Sequence, residues 1–126
     1  MILDASALLC VLLDEDGAAA VIPILRGANM SAVNVSESCA RGAERGGTIA
    51  AVLRAIERFE IVAHPFDLDL ARRTAELRPA TRHAGASLGD RACLALAERL
   101  AQPVYTADRR LASLDGSLVI PIRLIR

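Results

Sequence analysis

Short apolar runs alternate with helical stretches along the chain. Residues 1–4, "MILD", predict a strand, and "SALLCVLL" predicts the helix after it. "DEDG" breaks that helix, and "AAAVIPIL" predicts a second, with Pro23 inside it or near its end. "ANMSAV" predicts strand two, and "NVSESCARGAER" a helix closed by Gly46-Gly47. "TIAAVLRAIERF" predicts a helix with Thr48 as its N-cap, and "EIVAH" a third strand stopped by Pro65. "DLDLARRTAELR" predicts a helix opened by Asp67, with Pro79 beyond its end and residues 80–86 as a loop. "SLGDRACLALAERLA" is almost wholly apolar; Arg91 and Glu98, seven apart, give it one narrow polar face, which predicts a buried helix. "PVYTA" predicts strand four, Asp108 precedes a short "RRLASL" helix, and "SLVIPIRL" predicts a last strand with Pro121 favouring the sheet edge.

Five short strands, apolar throughout and separated by helices, predict an α/β fold: a parallel sheet covered on both faces. The length of 126 residues suits a single domain over 1–126. Sheets of this kind bind ligands outside the carboxyl ends of their strands, so acids placed there carry information.

Composition narrows the partners. The hydrophobic fraction of 53% is enough for a core, yet no apolar run is long enough to cross a bilayer. The start "MILDASALLC" has an acid at position 4 and none of the basic residues that open a signal peptide, so a soluble, cytoplasmic protein is expected. Cys10, Cys39 and Cys93 form no CxxC pair and read as small core residues; His64 and His83 are isolated. Net charge is zero, which excludes a bulk basic field, and every one of the 15 cations is an arginine. Phe59, Phe66 and Tyr105 are the only aromatics, too few for a base-stacking platform.

Four acids fall near the predicted ligand edge. Asp4 ends strand one, Glu37 follows strand two, Asp90 opens the buried helix, and Asp108 follows strand four in "VYTADRRL". Each also has a plain structural role available. Asp4 or Ser6 suits the cap of the first helix, Asn34–Glu37 and Ser87–Asp90 have the shape of capping boxes, and Asp108 suits a cap of its own. Gathered at one edge, however, such carboxylates repel one another, and a divalent cation would neutralise them; oxygen-only ligands select Mg²⁺ or Mn²⁺. Asp14, Glu15 and Asp16 read as a solvated turn. Glu57, Glu60, Glu76 and Glu98 read as surface charges among arginines.

Four stretches, "ILDASALL", "SAVNVSESCARG", "SLGDRACLALA" and "VYTADRRL", occur in an order and at separations that resemble the PIN domain, most closely the VapC-type toxins of bacterial toxin–antitoxin pairs. The resemblance spans almost the whole chain. It implies a PIN-like three-layer sandwich, a short parallel five-stranded sheet flanked by helices, and a Mg²⁺- or Mn²⁺-dependent endoribonuclease. Its acidic set falls on Asp4, Glu37, Asp90 and Asp108, with Asp4, Asp90 and Asp108 expected as metal ligands and Glu37 as ligand or base. Ser6 and Thr106 fall where the family often places a supporting polar group. A cognate antitoxin and a homodimer are the implied protein partners, and the apolar helices 18–25 and 49–56 have surface for either.

The expected reaction is hydrolysis of an RNA phosphodiester, leaving a 5′-phosphate and a 3′-hydroxyl. Arg91, Arg109 and Arg110 neighbour the acids and are candidates for phosphate contacts, with surface salt bridges as the alternative. A receiver-type phosphoacceptor and a P-loop nucleotide binder both need a lysine, which the chain lacks. A housekeeping RNA-processing nuclease without an antitoxin, and an inactive interaction module of the same fold, are the remaining alternatives. The complete set of four acids weighs against the inactive module.

Overall fold

The computed structural model describes all 126 residues, Met1–Arg126. Five strands, β1 (Ile2–Leu3), β2 (Asn29–Ser31), β3 (Val62–His64), β4 (Val104–Thr106) and β5 (Ile122–Leu124), form one sheet in the order β3-β2-β1-β4-β5. Every pairing is parallel, with Ile2 opposite both Asn29 and Val104. All strand carboxyl ends therefore lie at one edge. The chain winds outward from β1 to β2 and β3, then returns to place β4 on the other side of β1. The gap between β1 and β4 is thus the switch point at which open α/β sheets form a ligand crevice.

The helices are α1 (Ala5–Leu12), α2 (Ala18–Leu25), α3 (Ala32–Glu44), α4 (Ile49–Arg58), α5 (Leu68–Glu76), α6 (Arg78–Thr81), α7 (Leu88–Leu100) and α8 (Arg109–Ala112). Side chains alternate across a strand, and β1 shows it with two residues. Leu3 joins Leu8, Val21, Leu25 and Met30 in the core under α1–α4, while Ile2 joins Leu94, Leu96, Leu111 and Leu114 in the core under α5, α7 and α8. Each of these is fully buried and contributes roughly 1.5–3 kcal/mol of transfer free energy. The three cysteines are all buried thiols, as expected. Pro121 immediately precedes β5, which is an edge strand.

Thr48 and Asp67 cap their helices as the sequence predicts, accepting from Ala51 N at 3.0 Å and Leu70 N at 2.9 Å. Residues 80–86 are not a loop. Helix α6 and a 3₁₀ turn over Arg82–Ala84 occupy most of that stretch. Pro79 sits in the first turn of α6, where a missing N–H costs nothing, and the Thr81 hydroxyl bonds back to Leu77 O at 2.9 Å.

Candidate active site

β1 ends at Leu3, and Asp4 caps α1 by accepting from Ala7 N at 2.9 Å. Ser6 does not cap the helix. Its hydroxyl donates to Asp4 Oδ1 at 2.7 Å, while the Thr106 hydroxyl donates to Oδ2. Ala107 N in turn donates to Ser6 Oγ at 2.9 Å, and Asp108 N to Thr106 Oγ1 at 3.0 Å. Two hydroxyls therefore tie the backbone leaving β4 to the carboxylate leaving β1. Asp4 is only 4% exposed. Burial pushes its carboxyl up to about 6; the bonds from Thr106, Ser6 and Ala7 oppose the rise, and the charge of Asp90 adds to it.

Glu37 comes from α3. Ser31 caps that helix through Val33 N, so Asn34 and Glu37 are not a capping box. Instead, one helical turn apart, they bond directly: Asn34 Nδ2 donates to Glu37 Oε1 at 2.8 Å and to Gly89 O on α7 at 3.1 Å. Residue 89 has to be glycine for this arrangement, because a Cβ there would collide with the Glu37 carboxylate. Asp90 follows, and here the capping box is real. Asp90 N donates to Ser87 Oγ at 3.1 Å, and Ser87 N donates to Asp90 Oδ2 at 2.9 Å. Asp108 caps α8 by accepting from Arg110 N at 2.8 Å.

Three of the four acids bond at helix starts, and all four also line one pocket of about 100 Å³, together with Ser6, Asn34, Ser87 and Arg41. The two roles coexist because a carboxylate has two oxygens. Asp90 Oδ1 and Asp108 Oδ2 accept no hydrogen bond from the protein.

The PIN domain family model matches residues 1–117. The chain belongs to the PIN domain family. Solved structures similar to this PIN domain include a toxin–antitoxin complex from Klebsiella pneumoniae, 15% identical with a TM-score of 0.73, covering 99% of this chain and 97% of that one. Mycobacterium tuberculosis VapC20, a sarcin–ricin-loop-cleaving toxin, is 18% identical with a TM-score of 0.74, covering 89% and 92%. VapBC-5 of M. tuberculosis, from the VapBC family of toxin–antitoxin systems, is 25% identical with a TM-score of 0.62, covering 98% and 96%. No curated protein matches the sequence.

The pocket of this PIN domain suits a hard cation by its donors. They are all oxygen, Asp90 raises the pKa of buried Asp4, and the buried Asn34 Oδ1 has no hydrogen-bond partner. No three His, Cys, Asp or Glu side chains stand close enough to make a finished cage. The donor set fits a cation held partly through water.

Arg91 is a correction. One residue on from Asp90 is a rotation of about 100° round the helix, which turns Arg91 inward. It is only 7% exposed, donates to Thr74 O at 2.9 Å and does not line the pocket. The narrow polar face expected for α7 is therefore not solvated at Arg91. Glu98 instead pairs with Arg73 at 2.7 Å. Arg109 and Arg110 are exposed, and Arg110 lines the pocket. Glu15 departs from the solvated turn expected of it: it is half-buried and paired with Arg45 at 2.7 Å. Asn34, Gly89 and Arg41 join the site without having been expected there. The sequence does carry a signal for two of them, since Asn34 and Arg41 lie three before and four after Glu37 and so share its helix face.

Proposed function

We propose that the protein is a Mg²⁺- or Mn²⁺-dependent endoribonuclease acting in the cytoplasm as the toxin of a toxin–antitoxin pair. The observation that carries this reading is the convergence of Asp4, Glu37, Asp90 and Asp108, from four separate parts of the chain, on one pocket beside the β1–β4 switch point. PIN membership and the likeness to toxin–antitoxin structures support it.

Asp4, Asp90 and Asp108 would hold the cation, directly or through water. When bound, the cation would lower the pKa of the attacking water and offset charge on the phosphate. The chain's own residues do the rest. Ser6 and Thr106 fix both oxygens of Asp4, so its carboxylate has one orientation. Asn34 fixes Glu37 through Oε1; Oε2, which faces Arg41 Nη2 only at 3.8 Å, would orient the attacking water and accept its proton. Departure of the 3′ oxygen leaves a 5′-phosphate and a 3′-hydroxyl.

The antitoxin would cover apolar surface that the fold leaves open. Ile22 on α2 is 59% exposed, and Ile49 and Leu53 on α4 are 54% and 48% exposed. A homodimer would use the same kind of surface. The test is incubation of purified protein with total RNA, in Mg²⁺ or in EDTA, followed by end-mapping. Metal-dependent cuts bearing 5′-phosphates are expected; RNA left intact in Mg²⁺ and in Mn²⁺ would overturn the reading.

A further inference from the structure

The acidic pocket is continuous with a larger cleft of about 650 Å³, because Ser6, Arg41, Asp108 and Arg110 line both. Five arginines wall the cleft: Arg41 and Arg45 from the second half of α3 and its end, Arg109 and Arg110 from the start of α8, and Arg126 at the last position. Three acids, Glu15, Asp16 and Asp108, face them. The local balance is positive in a chain whose net charge is zero. No aromatic side chain lines the cleft, so nothing there can stack on a base.

Glu15 is engaged on both oxygens. Its Oε1 lies 2.7 Å from Arg45 Nη1, and its Oε2 lies 3.7 Å from Arg126 Nη1. Arg126 also donates through Nε to Ala107 O at 3.1 Å, the residue before Asp108. Arg109 has no carboxylate partner at all, and Arg41 and Arg110 reach theirs only at 3.8 and 3.9 Å. An anion gripped by two guanidinium groups, beside three arginines whose forks are largely unspent, is an arrangement matched to a row of phosphates.

We propose that this cleft seats the backbone phosphates of the RNA strand next to the scissile one, and that Glu15 holds the place of one such phosphate until the strand displaces it. The inference rests on the ribonuclease reading and adds to it the path of the strand. Arginines gripping phosphates, with no stacking partner for the bases, give binding that depends steeply on salt and little on sequence. Glu15 occupies both Arg45 and Arg126 in the free protein, and it competes with RNA for both.

The test measures binding of a labelled single-stranded RNA oligonucleotide in EDTA, where no cleavage intrudes, over a range of salt. Arg45→Gln and Arg109→Gln should each weaken binding and flatten the log–log salt slope by about 0.7 for every phosphate no longer neutralised. Glu15→Gln should tighten binding several-fold, since the amide no longer competes as an anion. Arg54→Gln, on α4 and outside the cleft, should bind as wild type does. A Glu15→Gln protein that binds no tighter, or arginine variants with the wild-type slope, would overturn the proposal. If wild type cuts RNA with metal and Asp90→Asn does not, while the cleft variants bind unchanged, only the strand path falls. If wild type neither binds nor cuts RNA, the ribonuclease reading falls with it.

Discussion

Asn34 holds Glu37. Its amide nitrogen donates to Glu37 Oε1 at 2.8 Å and to the Gly89 carbonyl at 3.1 Å, so one buried side chain joins α3 to α7 and fixes a carboxylate between them. Asn34→Ala removes both bonds, leaving Glu37 Oε1 without its amide donor and Gly89 O with only its backbone partner in α7. The cost should be about 1–3 kcal/mol. Asn34→Asp should cost more, since a carboxylate cannot donate and would face Glu37 and a carbonyl oxygen. Denaturant melts of the two variants check the order. Asn34→Asp melting above Asn34→Ala would show that the amide is not the donor.

Gly89→Ala separates site geometry from stability. Glycine near the start of a helix is a poorer helix former than alanine by roughly 0.5–1 kcal/mol, so the substitution helps α7. The new methyl collides with the Glu37 carboxylate, which is the far end of a flexible side chain and can swing aside. The melting temperature should stay within a few degrees of wild type, while RNA cleavage should fall by at least about tenfold. Unchanged cleavage would mean that the position of Glu37 does not matter to the reaction.

The capping acids test charge against shape. An asparagine at 90 or 108 keeps an oxygen for Ser87 N or Arg110 N, so α7 and α8 should still start where they do. It loses the negative charge that a cation needs. Asp90→Asn and Asp108→Asn should each cut cleavage by about 100-fold or more with little change in melting temperature. Asp69→Asn, on the exposed face of α5 and paired with Arg72 at 3.0 Å, should cleave at the wild-type rate. Wild-type cleavage by Asp90→Asn would reduce Asp90 to a helix cap.

Much of the fold and the site is legible in the sequence because the strands are short and apolar and every strand runs the same way. That places whatever follows β1, β2 and β4 at one edge, so Asp4, Glu37 and Asp108 group together on pattern alone. Asp90 comes with them through its place at the head of the buried helix. Arg91 escapes such reasoning because arginine is rarely buried, and adjacency to Asp90 says nothing about which way it turns. Residues 80–86 escape it because Pro79 reads as a stop, although proline in a first turn starts a helix as readily. The pairing of Glu15 with Arg45 and Arg126 is out of reach, since tertiary packing alone brings these distant positions together.

Burial of Asp4 gives the metal-free protein a pH dependence of a definite sign. Its carboxyl stands at about 6, against an ordinary 3.8. The folded state therefore binds the proton more tightly than the unfolded chain does. The protein should be most stable below pH 3.8 as far as this group is concerned, and lose stability as pH rises to about 6, with no further change above. The shift corresponds to roughly 3 kcal/mol. Asp4→Asn should erase this fall between about pH 4 and 6. At neutral pH the metal-free variant should be at least as stable as wild type, provided its amide still caps α1. Mg²⁺ or Mn²⁺ should reverse the order. A cation at ten times its Kd stabilises wild type by about 1.4 kcal/mol, a rise of roughly 3–6 °C in Tm, and Asp4→Asn should gain far less. Na⁺ at matched ionic strength should give neither protein that gain. Melts at fixed protein concentration, at about pH 4, 6 and 7.5 with and without Mn²⁺, contain the whole test. A wild-type Tm indifferent to Mn²⁺ would leave the four acids as structural groups with no cation to gather them.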